Sequence, residues 1–111
     1  MESILNSVKK LLGIDPSYTH FDIDLIMHIN SVFMVLRQLG VGPSNGYNIT
    51  GKYEIWTDFI NDVDQIPAVK TYVYQKVRLI FDPPSSSAHM EALKNSIAEF
   101  EYRLYVDAEF K

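Results

Sequence analysis

The side chains that could do chemistry in this sequence are three histidines, fourteen carboxylates and a run of serines. Their spacing argues against each reaction in turn. His20, His28 and His89 are scattered and lack the His-Glu-x-x-His spacing that places two imidazoles on one helical face around zinc, so they are expected at the surface or at helix ends. Asp58, Asp62 and Asp64 come closest to a cation loop, but the turn glycine and distal glutamate of an EF-hand are missing, and a solvated acidic face is the expectation. Glu99 and Glu101 could be offered as an acid–base pair. Two residues apart on a helix they point about 200° from one another and cannot easily share a substrate. Gly40-Val41-Gly42 is no phosphate cradle: no Lys-Ser/Thr follows, and it leaves a helix instead of opening one. Ser85-Ser86-Ser87 has no nucleophile-elbow context, and the Asn48-Ile49-Thr50 sequon means little without a secretory signal. The residues predict no enzyme, no metal site and no cofactor.

With chemistry set aside, the chain has to be read as a body with surfaces. Its 111 residues suit a single domain, able to bury roughly two thirds of the surface that the unfolded chain exposes. A hydrophobic share of 47% with 22% charged residues is ordinary globular material. No apolar run approaches the ~18 residues of a membrane span. The opening MESILNSVKKLLG is not expected to be a signal peptide, because an acid comes first and no uncharged stretch follows. The lack of cysteine rules out disulfides and thiolate metal sites and suits synthesis in a cytoplasm. A net charge of −4 opposes duplex binding, where phosphate contacts supply much of the affinity.

Periodicity predicts four helices, at about 2–12, 22–39, 67–81 and 88–105. Ile4, Leu5, Val8, Leu11 and Leu12 recur at helical steps before Gly13. Asp22 and Asp24 open the second helix, where negative charge suits the macrodipole, and Gly40 ends it. Pro67 reads as the start of the third, which Pro83-Pro84 must stop. One of the serines that follow caps the fourth. Between the second and third, residues 41–56 lose the helical period and read as a long loop or a small β-hairpin, with one helical turn possible over 57–61. Residues 106–111 read as a charged tail. The expected fold is mainly all-α, a four-helix bundle-like single domain.

Some of these elements carry more apolar surface than one core needs. In the second helix Leu25, Ile26, Ile29, Val32, Phe33, Leu36 and Leu39 form the core stripe, yet Ile23, Met27 and Met34 cluster opposite, interrupted by Asn30 and Arg37. That strip is either packed inside the domain or covered by another subunit, and both readings stay open. In the third helix Val69, Val73, Val77 and Ile80 are expected in the core, while Lys70, Tyr74, Arg78 and Phe81 make an adjoining strip of interface-like composition. Phe81 is expected to complete the core. Arg78 is expected at an interface, with a helix-end pair to Asp82 as the alternative. Met90, Leu93, Ile97, Phe100 and Leu104 of the fourth helix are expected to pack within the chain. The loop holds Tyr47, Ile49, Tyr53, Ile55 and Trp56, and the tail region Tyr105 and Phe110. Both segments are expected to dock on partners and to be mobile until they do.

The order of these segments resembles a known family. VKKLLGI, then FDIDLIMHINSVF running to LRQLGVGP, then ITGKYEIWTDF, VKTYVYQKVRLIFDPPSSS and EFEYRLYVD are similar to the head–tail connector, or head-completion adaptor, proteins of siphophages and prophages. The likeness covers roughly residues 4–106, and its most specific stretches are DLIMHINS with LGVGP, and KVRLIFDPP. It implies a cofactor-free structural protein of the virion, made in the host cytoplasm, that assembles as a homo-oligomeric ring, a dodecamer, beneath the portal. It further implies contact with the portal protein and with a stopper or tail-completion protein, and a channel through which DNA passes without specific binding. The family has no active site to carry over. The competing expectation, a small terminase-like DNA-binding or packaging factor, needs a basic recognition helix. Lys70, Lys76 and Arg78 are the only candidates, and they do not share a face.

Overall fold

A computed structural model describes residues 2–110. It contains α1 (Ile4–Leu11), α2 (Asp22–Gln38), α3 (Trp56–Phe59), α4 (Ile66–Phe81) and α5 (Ser87–Glu109), and no strand forms among the described residues. The class is all-α. α4 is the central element: α2 and α5 pack on it, and α1 lies across both α2 and α4. Ser3 caps α1 by accepting from the Asn6 amide, and Ser86 caps α5 by accepting from the His89 amide. Leu25, Ile29, Val32, Phe33 and Leu36 of α2 are buried against Val69, Val73 and Val77 of α4 and Ile4, Leu5 and Val8 of α1 in one cluster. Each such side chain contributes ~1.5–3 kcal/mol of burial.

One contact holding α1 to α2 is polar. Lys9 is fully buried; its Nζ donates to the carbonyls of Pro16 at 3.0 Å and Tyr18 at 2.7 Å. It also lies 2.8 Å from Asp22 Oδ1. That last contact is an ion pair outside hydrogen-bond geometry, since Oδ1 has no hydrogen-bond partner. A single ammonium thus clamps the connecting turn and the first residue of α2 onto the end of α1.

The segment 41–56 is neither a hairpin nor a free loop. Among the described residues its one bridge pairs Ile55 with Ser3, supported by the Ile4 amide donating to the Glu54 carbonyl at 2.9 Å. Asn30 grips it from α2: its side-chain amide donates to the Ile49 carbonyl at 3.0 Å, and its Oδ1 accepts from the Ile49 amide at 2.8 Å. This copies the two-bond exchange of an antiparallel pair. The Glu54 carboxylate closes the 50–54 turn by accepting from the Thr50 amide and hydroxyl and from the Gly51 amide. Phe33, Tyr47, Trp56 and Phe59 form an aromatic cluster with centroid separations of 4.5–6.5 Å. Trp56 donates its indole N–H to Ser7 Oγ at 2.9 Å, and the Ser7 hydroxyl in turn donates to the Ile4 carbonyl at 2.9 Å. Ile49 and Trp56 are therefore core residues, at 2% and 1% exposure, which corrects the expectation that they are mobile docking groups. Gly42, at φ +88°, is required here, because a Cβ would stand 2.5 Å from the Phe59 ring.

Two further expectations are corrected. Residues 106–110 are not a tail, for α5 continues to Glu109 and Phe110 caps it, while Lys111 of the expected tail lies outside the described residues. Leu104 is buried, Ala108 one turn later packs against Gly40 at the end of α2, and Asp107 accepts from the Gln65 side chain at 2.9 Å. Those tertiary contacts carry a turn whose own pattern is weak. Ile80 keeps the angular position of the α4 stripe but sits in the last turn and is largely exposed, while Tyr72 is fully buried in the core.

Candidate docking surface

α2 presents two apolar sides, and only one is used by the fold. Ile23, Met27 and Met34 are exposed by 83%, 58% and 56%. They stand on the side away from Leu25, Ile29, Val32 and Leu36, because steps of four and seven residues return a helix to nearly the same azimuth. Met27 and Met34 form one wall of a groove of about 590 Å³, whose other wall is the Asn45–Asn48 segment held by Asn30. Phe33 and Tyr47 add aromatic surface to the lining. Arg37 is the only charged residue of the lining. Its Nε donates to the Ser44 carbonyl at 2.9 Å, which fixes the guanidinium. The Tyr47 hydroxyl is shielded and has no hydrogen-bond partner. Burial, with the nearby Asp58 and Glu54 charges adding to it, pushes its pKa up to about 12.

The other expected contact residues fall in separate places. Tyr53 is exposed beside Lys52 in the turn before α3. Tyr105 and Phe110 are exposed at the end of α5, joined there by Tyr102, which the sequence reading did not single out. Arg78 is half-buried and donates to the Tyr74 hydroxyl at 3.3 Å, in a shallow hollow shared with Leu11, Leu12 and Asp82. No salt bridge joins Arg78 to Asp82 among the described residues. Phe81 packs partly against the core and edge-on to Phe21. Ile49 and Trp56 offer no surface in this conformation, and Tyr47 offers only part of its ring.

Four of the carboxylates considered for chemistry, Asp58, Asp62, Glu99 and Glu101, are engaged locally. Asp58 accepts from the Ile55 amide and Asp62 from the Asp64 amide, so both brace turns. Glu99 pairs with Arg103, whereas Glu101 accepts from the buried Tyr72 hydroxyl at 2.6 Å and lies 3.5 Å from Lys76. The two carboxylates diverge. Burial, and then the Glu101 contact, push the Tyr72 pKa well above the ordinary phenol value. Among the described residues, no group of three His, Asp or Glu side chains gathers to hold a metal, and no helix is long and apolar enough to cross a membrane. The cations proposed for duplex binding are also engaged: Lys70 with Glu2 at 2.7 Å, Lys76 with Glu101, and Arg78 with Tyr74.

A family model described as phage connector protein matches residues 4–111. The chain belongs to that family, the head–tail connectors of phages. Membership gives its general role, joining head to tail, and its general place, the virion. No curated protein and no solved structure matches the chain.

Proposed function

We propose that this connector works as a structural adaptor, without catalysis, by closing into a homo-oligomeric ring beneath the portal. There it extends the DNA channel and offers its lower surface to a stopper or tail-completion protein. The observation that carries the reading is the Ile23–Met27–Met34 strip, three large apolar side chains left uncovered on a helix whose opposite side is fully packed. An uncovered patch of this kind marks a site of association. Arg78, Tyr53, Tyr105 and Phe110 supply the remaining contact surfaces between copies or with the portal and tail proteins. A net charge of −4 suits a channel along which DNA slides without adhering. The test is Met27→Asp. Rings of the wild-type chain on the portal, seen by electron microscopy, are expected to be lost while the helical circular-dichroism signal persists. Rings that survive the substitution would remove the strip from the interface. A variant that fails to fold would assign it to the interior.

A further inference from the structure

The groove on α2 has a chemistry that selects its occupant. Its rim carries two thioethers, which accept aromatic rings well because sulfur is polarisable and the unbranched side chains adapt. Its one charge is Arg37, already oriented by Ser44 through Nε, with no salt bridge from its terminal N–H groups among the described residues. Such a fork is pre-organised for a carboxylate. A fitting ligand therefore presents an aromatic ring next to an acid.

The end of α5 presents that pair. Phe110 is the most exposed large apolar side chain among the described residues, at 87%, so its own chain does not bury it. Glu109 stands beside it. α1, α2 and α4 each carry a cation in the last turn, Lys9 and Lys10, Arg37 and Arg78 respectively, whereas α5 has none. Glu109 thus adds its charge to the negative pole of the helix, where a guanidinium of another copy complements it.

We infer that Phe110 and Glu109 of one copy occupy the Met27–Met34–Arg37 groove of the next. Phe110 lies between the two methionines and Glu109 accepts from the Arg37 guanidinium. Groove and ligand are different surfaces of one chain, so the contact is head-to-tail, the type that closes into a ring when its rotation divides the circle. The inference rests on the self-assembly reading above and specifies the contact that it leaves open.

The absence of native cysteine makes a direct test available. The double variant Met34→Cys/Phe110→Cys, oxidised at concentrations where the chain associates, is expected to give a ladder of covalent oligomers. A mixture of the two single variants should stop at dimers. Independently, Arg37→Glu and Glu109→Arg should each weaken association in sedimentation by ~10-fold, and the combined charge swap should restore most of it. Each variant is first checked for wild-type urea unfolding. Absence of both the ladder and the rescue overturns the contact. If wild type still associates in that case, self-assembly stands and uses another face. If wild type stays monomeric at every concentration and on the portal, the ring reading falls as well.

Discussion

Replacing Lys9 by methionine isolates the worth of the buried clamp, because methionine keeps most of the aliphatic stem while deleting the charge. Two charge-assisted hydrogen bonds to carbonyls disappear, each worth ~1.5–3 kcal/mol where water cannot substitute. The Pro16 and Tyr18 carbonyls belong to a partly exposed turn and will recover some hydration, so the lower end applies. Asp22 loses its ion-pair partner. Removing one member of a fully buried pair costs ~3–5 kcal/mol, but the Asp22 side chain is 24% exposed and its contact with Lys9 is not a hydrogen bond, which argues for a fraction of that. The expected total is ~3–5 kcal/mol, or a fall in Tm of roughly 15–30 °C for a domain of this size. Urea unfolding followed by circular dichroism reads it directly, with an unchanged m-value showing that the native state keeps its compactness. Lys10→Met is the control: that ammonium is exposed, pairs with Glu2 at 3.2 Å, and should cost under ~1 kcal/mol. Lys9→Met/Asp22→Asn should recover part of the loss, since the stranded carboxylate is gone. A loss below ~1 kcal/mol for Lys9→Met would refute the clamp and mean that the turn holds α1 to α2 by packing alone.

Other outcomes follow from the same contacts. The Ile49 amide should exchange slowly in the free chain, and Asn30→Ala should speed it by exposing it to local opening, as hydrogen-exchange mass spectrometry can show. Gly42→Ala should destabilise by at least ~1–3 kcal/mol in urea unfolding, through a left-handed backbone that alanine resists and the approach to Phe59. The Glu2 carboxyl lies below its usual range chiefly because Lys70 donates to it, and Asp15 because Ser17 does. At Glu54 burial pushes upward, but hydrogen bonds from Thr50 outweigh it. Native values below unfolded ones mean that this stability is full above the ordinary carboxylate range and drains as pH falls through the native values; Glu2→Gln and Glu54→Gln should flatten the acid limb. Tyr47 and Tyr72 act at the other end. Their raised values hold stability that is complete below the phenol pKa of about 10 and is lost as pH climbs through about 12 for Tyr47, so Tyr47→Phe should be the less sensitive to alkali.

The helical class was legible because the apolar residues of α2 recur on one side over four turns and because Pro83-Pro84 admits no helix. The position of the outer strip was legible too, since Ile23, Met27 and Met34 stand opposite that stripe on the same wheel, but that the fold leaves it exposed was not. What escaped was every feature decided by a polar side chain acting at long range in sequence. Lys9 and Lys10 are adjacent and chemically identical, yet a 100° step puts the first inside and leaves the second in water. Ser7 gives no sign in the sequence that it will receive an indole forty-nine residues away. Without that partner, Trp56 looks like an aromatic anchor searching for a surface. The last turn of α5 was hidden for a related reason: its support comes from Gly40 and Gln65, which no periodicity within α5 can announce.

Asn30 shows why fold and site cannot be separated in this molecule. On the helical wheel it interrupts the outer apolar strip of α2. In the structure it spends its amide on both backbone groups of Ile49, and that grip brings Tyr47 and Asn48 alongside Met27 and Met34. The residue that breaks the strip is the one that turns a flat helix face into a groove. A substitution that keeps α2 helical but cannot make the two bonds, such as Asn30→Leu, adds apolar surface to the strip and would seem to favour association. It should do the opposite, because the groove wall opposite the methionines is lost while the thioethers remain exposed. Shape, more than apolar area, then decides whether neighbouring copies recognise one another.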